Sequence, residues 1–171
     1  MQEYYVPYRK ILLMPHGAYP IPENYILGKE KGEKVSFLQF GCIRKYKGLD
    51  VLLQAIALLP YSVKQQCHFK VAGERLSLDE TDYEEEAKKL GIDWMIDFDF
   101  RHIPNDDLPE LFQHADFCLY PYREISGSGA LLMAFSYGIP VIASDLEPFK
   151  EETDHGAAGI LFQTEDSKSL S

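Results

Sequence analysis

Three cations lie close together in a short segment between an apolar run and a helical pattern. The segment reads GCIRKYKG over residues 41–48, and its cations are Arg44, Lys45 and Lys47. Positive charge at the start of a helix opposes the helix dipole, so helix stability alone does not explain these residues. An anion bound there would meet the side chains, the backbone N–H groups and the dipole together. The pattern predicts an anion site, and solvated cations on a turn are the alternative.

A second segment, residues 123–134, places glycine and serine at the start of another helical pattern. It reads REISGSGALLMA. Gly127 and Gly129 allow the backbone to approach a ligand closely, while Ser126 and Ser128 can cap the helix or donate to phosphate. The spacing is neither that of a P-loop nor that of a dinucleotide-binding GxGxxG motif. The segment predicts a further part of the anion site, and an ordinary strand-to-helix turn is the alternative.

Both segments follow apolar runs, and such runs alternate with helical patterns along most of the chain. Leucine and isoleucine recur at helical spacing over residues 49–59, for example. The strands are predicted at residues 35–41, 67–73, 93–100, 116–122, 139–145 and 158–162. This alternation predicts an α/β fold with a doubly wound parallel sheet. Ligands of such sheets bind beyond the carboxyl ends of the strands, where both segments would lie.

The same patterns assign several single residues. Asp106 or Asp107 is predicted to cap the helix that starts near residue 108, and Thr164 is predicted to cap a helix near the end of the chain. That last helix is too short to be stable alone, so we expect the chain to be a fragment of a longer protein. Trp94 falls in the third predicted strand and is assigned to the core.

The composition is that of a soluble globular protein, with 46% hydrophobic and 26% charged residues. Lys and Arg number 17 against 27 Asp and Glu, which gives a formal net charge of -10. That charge argues against nucleic-acid binding and against anchoring on an anionic membrane. We expect no membrane span, because no apolar run is long enough to cross a bilayer, and the start MQEYYVPYRK does not predict a signal peptide. Cys42, Cys67 and Cys118 lack metal-ligand spacing and are predicted to be reduced core thiols of a cytoplasmic protein.

Four longer segments occur in order at suitable spacings. They read FGCIRKYKGLDVLLQAI, FKVAGE, HADFCLYPYREISGSGALLMAFSYGIPVIASD and GAAGILF. As a set they resemble the C-terminal domain of retaining GT-B glycosyltransferases, in particular the large family 4, group 1 type. The resemblance extends from about Met14 to the end of the chain. It implies a Rossmann-like nucleotide-sugar-binding domain over residues 35–171, preceded by an incoming linker or hinge over residues 1–34, with the N-terminal acceptor domain absent.

The resemblance also implies the substrates and the roles of residues. The donor substrate would be a nucleotide-diphosphate sugar, with no other cofactor and no metal. Arg44 and Lys47 match the basic pair that grips the diphosphate, and Glu124 lies one residue before the position of a sugar-contacting acid. Ile103 matches the position whose backbone meets the base. The residues expected to bind the donor are Gly41, Ile103, Ser126, Gly127, Ser128 and Gly129.

The sequence departs from the family pattern at three positions. The family's two glutamates, which have seven residues between them, fall on Ile125 and Met133, and its usual arginine after the first strand falls on Cys42. These departures affect the contacts to the sugar and ribose more than the fold.

The resemblance implies a hexosyltransferase-type enzyme of cell-surface polysaccharide synthesis, with a saccharide or glycolipid acceptor held by the missing N-terminal domain. We expect this half alone to be inactive. The full-length protein would be cytoplasmic, or peripheral to the inner face of the membrane. The alternative is a non-catalytic nucleotide- or sugar-phosphate-binding module of the same fold. A receiver-like signalling domain is a weak third candidate, because the first strand ends in FG without an acidic residue.

Overall fold

The computed structural model describes residues 17–23, 25, 32–76 and 80–171. A six-stranded sheet forms its centre, with the strand order β3-β2-β1-β4-β5-β6 and every neighbouring pair parallel. The predicted doubly wound α/β fold is therefore confirmed. The strands are β1 Val35–Phe40, β2 Cys67–Ala72, β3 Ile96–Asp99, β4 Phe117–Tyr120, β5 Val141–Ser144 and β6 Gly159–Phe162.

Helices cover both faces of the sheet. Side chains of α1, α3 and α7 pack on the face that carries Phe69, and side chains of α4, α5 and α6 pack on the face that carries Leu38. Because successive strand residues point to opposite faces, β1, β2, β4 and β5 each contribute side chains to both cores. The helices are α1 Leu49–Leu58, α2 Tyr61–Lys64, α3 Tyr83–Lys89, α4 Leu108–Gln113, α5 Gly129–Ser136, α6 Glu147–Glu152 and α7 Ser167–Leu170.

The strand order reverses between β1 and β4. The chain proceeds outward from β1 to β3, returns to β4 beside β1, and proceeds outward again to β6 on the other side. The connections that follow β1 and β4 leave in opposite directions, so a crevice opens outside the carboxyl ends of these two strands. Both segments singled out in the sequence begin at this crevice.

Two single-residue predictions about the core are wrong. β3 begins at Ile96, and residues Asp93–Met95 form a 3-10 turn that leaves the side chain of Trp94 50% exposed. Its indole N–H donates to the carbonyl oxygen of Gly91 at 3.2 Å. Cys42 is exposed because it lies in the loop beyond β1, whereas the other two cysteines are buried as predicted.

The predicted aspartate cap is confirmed in position but makes no capping hydrogen bond, and the predicted threonine cap is wrong. Asp107 occupies the N-cap position of α4, but its carboxylate accepts from Arg101 at 3.0 Å and caps no amide. A charged donor makes the stronger hydrogen bond, which accounts for this choice. Asp166 caps α7 by accepting from two amides of its first turn. Thr164 lies outside that helix and donates its N–H and hydroxyl to Asp145 at 2.8 and 2.6 Å.

The predicted linker over residues 1–34 lies largely outside the described residues, which include only 17–23, 25 and 32–34 of it. In the part of the chain that the structure describes, none of the helices is long and apolar enough to cross a membrane.

Candidate functional site

The loops after β1 and β4 meet at the crevice and fit closely against each other. Gly48 ends the 3-10 turn Lys45–Lys47 with a φ of 66°, and a Cβ atom there would lie 1.8 Å from the carbonyl oxygen of Pro121. Only glycine permits this approach. The N–H of Arg123 donates to the carbonyl oxygen of Tyr46 at 2.7 Å. The cationic turn is therefore fixed against the chain that leaves β4.

Arg123 strengthens this junction with its side chain. Its guanidinium donates to both carboxylate oxygens of Asp50, at 2.8 and 2.6 Å, and to the carbonyl oxygen of Lys45 at 2.8 Å. Its Nε donates to Glu165 at 2.7 Å. Because two N–H groups of one guanidinium donate to two oxygens of one carboxylate, this bidentate ion pair also fixes the relative orientation of the two side chains. It joins the start of α1, the cationic turn and the loop before α7.

Lys47 extends into the crevice from this turn. Its Nζ lies 2.8 Å from the position of a Cβ atom on Gly41, whose φ is 117°, and 5.2 Å from the ring centroid of Tyr122. A side chain at Gly41 would displace the ammonium, so this glycine makes room for it. The same Cβ position is 3.7 Å from Cβ of Ala130. Lys47 therefore lies beside the first turn of α5.

The ammonium of Lys47 has no counter-charge in the part of the chain that the structure describes. Among the described residues no carboxylate lies within ion-pair distance of it. Burial lowers its pKa below the ordinary value; the nearby thiol of Cys42 acts in the opposite direction, and the charge of Arg44 lowers it further. Burial of a charge without a partner costs free energy. Within the described residues no acidic side chain offsets this cost, and a bound anion could do so.

The start of α5 offers hydrogen-bond donors to the same place. Ser128 is buried and caps the helix, its Oγ accepting from the N–H of Leu131 at 3.1 Å. The N–H groups of Gly129 and Ala130, the first two of the helix, have no acceptor among the described residues. Burial raises the pKa of the Tyr122 phenol, and the nearby Ser128 hydroxyl acts in the opposite direction. Because the ring of Tyr122 also faces Lys47, it connects the cation to the helix start.

An open cavity of about 430 Å³ adjoins the helix start and is lined by Tyr46, Glu124, Ile125, Ser126 and Gly127. Glu124 is exposed there, and Ser126 and Gly127 are exposed at its mouth. The ring of Tyr46 borders it. The cavity can hold a polar group next to the anion site, with a carboxylate available to accept hydrogen bonds.

The structure brings together most of the predicted site residues, but not all of them. Arg44 is exposed at the start of the same turn, and its charge lowers the pKa of Lys47. Ile103 lies in the loop after β3, two strands from β1, which corresponds to roughly 10 Å across the sheet. Its side chain is buried against the core. It belongs to the same edge of the sheet as the other site residues, but the width of β2 separates it from the loop after β1.

Ile125 and Met133, which replace the family's two glutamates, are partly buried and pack against the core on the α5 side of the sheet. Their apolar side chains are therefore held by packing. Within the described residues, no group of three or more His, Cys, Asp or Glu side chains could hold a metal ion.

Sequence reasoning missed four residues that shape the site. Tyr122 ends the strand-like run CLYPY and Arg123 follows it. Nothing in this pattern indicated which residues their side chains contact. Tyr46 lies inside the cationic turn and could have been found from its position between two cations. Gly73 packs on Gly41, since a Cβ atom there would lie 2.3 Å from the carbonyl oxygen of Gly41. Its φ of 143° and its place at the end of β2 explain the glycine in VAGE.

Comparisons with known proteins agree with this fold. The model of the family Glycosyl transferases group 1 matches residues 26–171. An uncharacterized 41.2 kDa protein in the cps region of Klebsiella pneumoniae is 28% identical over 138 residues, which are 81% of this chain and 35% of that protein. The lipopolysaccharide glucosyltransferase WaaG of Escherichia coli is 29% identical over 144 residues, which cover 77% of this chain and 37% of WaaG.

Two solved structures share the fold. The crystal structure of WaaG matches with a TM-score of 0.68 and 26% identity, over 82% of this chain and 36% of that one. The crystal structure of Anabaena HepE in complex with UDP matches with a TM-score of 0.67 and 25% identity, over 81% and 37%. The chain thus spans little more than a third of each of these relatives. Since the family model matches most of its length, the chain belongs to the glycosyl transferases group 1 family and has the fold of its GT-B C-terminal domain.

Proposed function

We propose that this chain is the donor-binding domain of a glycosyltransferase that uses a nucleoside-diphosphate sugar. One observation carries the proposal. The Lys47 ammonium is drawn out of water beside the helix start, and the described residues give it no carboxylate partner. A diphosphate would supply the missing charge and would accept from the N–H groups of Gly129 and Ala130. Arg44, exposed at the rim, adds a second cation for the same group.

The same contacts would assist the chemistry. During transfer the bond between the anomeric carbon and the diphosphate oxygen breaks, and an acceptor hydroxyl oxygen bonds to that carbon as its proton leaves. Negative charge therefore grows on the departing nucleoside diphosphate. Lys47 and the amides of α5 are in place before this charge develops, so they would stabilise the transition state. Because these donors already offset the diphosphate charge, we expect binding without a divalent metal.

The cavity beside the helix start is our candidate for the sugar. Glu124 would accept hydrogen bonds from sugar hydroxyls, and Tyr46 would pack on the apolar face of the ring. Ile103, two strands away at the same edge, stays our candidate for the base contact.

The named relatives support this proposal. WaaG is a lipopolysaccharide glucosyltransferase, the HepE structure holds UDP, and the Klebsiella protein comes from a cps region. We therefore infer a role in cell-surface polysaccharide synthesis, with a saccharide or glycolipid acceptor. As the chain spans about a third of these relatives, the acceptor would be bound by another part of a longer cytoplasmic protein that reaches the inner face of the membrane.

A second candidate function is a non-catalytic nucleotide- or sugar-phosphate-binding module. Ile125 and Met133 favour it, because apolar side chains at these positions cannot accept hydrogen bonds from sugar or ribose hydroxyls. Two findings would decide for the enzyme. One is an upstream Rossmann domain in the complete reading frame, and the other is sugar transfer by protein that contains both domains. Tight nucleotide binding without transfer by that protein would decide for the module.

Calorimetric titration of the chain with UDP, UMP and UDP-glucose tests the proposal. We expect UDP to bind more tightly than UMP by at least tenfold, since the second phosphate makes the contacts with Lys47 and α5. ADP and GDP titrated in parallel would report the base preference. Equal binding of UDP and UMP, or no binding of any nucleoside diphosphate, would contradict the proposal.

A further inference from the structure

The chain segment over residues 17–23 lies along α5, outside the region that the family model matches. The N–H of Tyr19 donates to Oγ of Ser136, near the end of α5, at 2.9 Å. Ile21 packs against the same core. Tyr25, two residues beyond this segment, places its ring edge-on to Tyr137 at 4.9 Å between centroids. These contacts fix the backbone of Tyr19 near the end of the helix.

The side chain of Tyr19 extends from there to the other end of the helix. Its hydroxyl oxygen lies 2.6 Å from the position that a Cβ atom on Gly129 would take, and its Cζ lies 3.6 Å from it. A Cβ atom at position 129 would therefore displace the Tyr19 hydroxyl, and glycine permits this approach. The hydroxyl reaches the first residue of α5, where the N–H groups of Gly129 and Ala130 have no acceptor among the described residues.

We infer that the Tyr19 hydroxyl donates a hydrogen bond to the distal phosphate of the bound nucleotide. The inference rests on the proposed function, because it takes the start of α5 to be the phosphate site. A phenol hydroxyl is a donor, and a hydrogen bond from it to a phosphate anion is charge-assisted. Three donors would then converge on this phosphate from α5 and Tyr19, with Lys47 on the other side.

This arrangement gives Tyr19 a part in the choice between diphosphate and monophosphate. A nucleoside monophosphate lacks the group that the hydroxyl meets, so Tyr19 adds nothing to its affinity. The arrangement also connects donor binding to the segment that leads into the domain.

Tyr19→Phe tests the inference, since it removes only the hydroxyl. We expect the Kd for UDP to rise about tenfold and the Kd for UMP to stay the same in calorimetry. Tyr61→Phe is the matched control. Tyr61 begins α2 and is 70% exposed. Because α2 leads into β2, Tyr61 lies at the edge of the sheet where the strands begin, away from their carboxyl ends. That variant should leave both affinities unchanged.

The outcomes separate this inference from the proposed function. If the parent chain binds no nucleoside diphosphate, the proposed function is wrong and the inference falls with it. If the parent binds UDP and Tyr19→Phe binds it equally or more tightly, only the inference is wrong. A loss that is equal for UDP and UMP also overturns it, because a displaced segment would weaken both.

A double-mutant cycle gives an independent reading. The methyl group of Gly129→Ala would displace the Tyr19 hydroxyl, so this substitution should also weaken UDP binding about tenfold. In the Tyr19→Phe background the hydroxyl is already absent, so adding Gly129→Ala should weaken UDP binding by less than threefold. Full additivity of the two losses would mean that the hydroxyl and the helix start act independently, and would overturn the inference.

Discussion

Replacing Lys47 with methionine separates the charge of this side chain from its packing. Methionine keeps an unbranched stem that can lie over Tyr122, where the ammonium now sits 5.2 Å from the ring centroid. The substitution removes a cation that burial already destabilises, as its lowered pKa shows. It should therefore harm binding and spare the fold.

The expected magnitudes follow from the contacts. A hydrogen bond to a charged group contributes about 1.5–3 kcal/mol, so the Kd for UDP should rise by about 10–150-fold. The free energy of unfolding should change by no more than about 1 kcal/mol, since loss of the contact with Tyr122 is offset by relief of the buried charge. For a chain of this size that corresponds to a change in Tm of about 2–4 °C at most. Calorimetry and thermal melts measure the two quantities.

Lys45→Met is the matched control for this variant. Lys45 lies on the same turn but is exposed, and its loss changes the net charge by the same amount. We expect less than a threefold effect on the Kd for UDP, because an exposed charge is screened by water and salt. The reasoning is refuted if Lys47→Met binds UDP like the parent. It is also refuted if both variants lose affinity equally, which would indicate a general charge effect.

Three further predictions concern the same site. Arg123→Ala should lower the free energy of unfolding by about 1–2 kcal/mol, measured in thermal melts. The double variant with Asp50→Ala should lose less than the sum of the losses of the two single variants, because both remove the same ion pair. Additive losses would show that the two side chains are not coupled. The affinity for UDP should fall as the pH rises through the lowered pKa of Lys47, because the ammonium loses its proton. Lys47→Met should remove this fall. If the affinity of the parent chain for UDP varies as little with pH as that of the variant, Lys47 does not bind the diphosphate. The Kd for UDP should agree within about twofold in excess chelator and in magnesium, and a requirement for metal would point to a different way of binding the diphosphate.

The fold could be predicted from the sequence because each strand is a short apolar run and each crossover has helical spacing. The ends of strands were harder to predict, since hydrophobic runs do not stop where hydrogen bonding stops. Trp94 and Cys42 show this: each adjoins a strand in the sequence, yet each lies in a turn or loop and is exposed. Caps failed for a related reason. Asp107 and Thr164 had the right residue type, but each found a stronger partner than a helix amide.

The candidate site was predictable where its signal is local. Lys47 lies in a short turn, and Ser128 caps the helix beside it as its position suggested. Contacts between distant residues left no such signal. Arg123 binds Asp50 across 73 positions of sequence, and Tyr19 meets Gly129 from a segment with no periodic pattern. These contacts depend on the strand order, which places the loops after β1 and β4 side by side.

Protection of Cys42 by UDP tests the central claim most directly. Cys42 follows Gly41 at the crevice and is the exposed cysteine of the chain, whereas Cys67 and Cys118 are buried. A maleimide should therefore label the folded chain at Cys42 alone, as mass spectrometry of its peptides would show. If the nucleoside diphosphate occupies the crevice beside Lys47, UDP at ten times its Kd should slow this labelling by about tenfold. An unchanged rate at saturating UDP would place the nucleotide elsewhere and contradict the account.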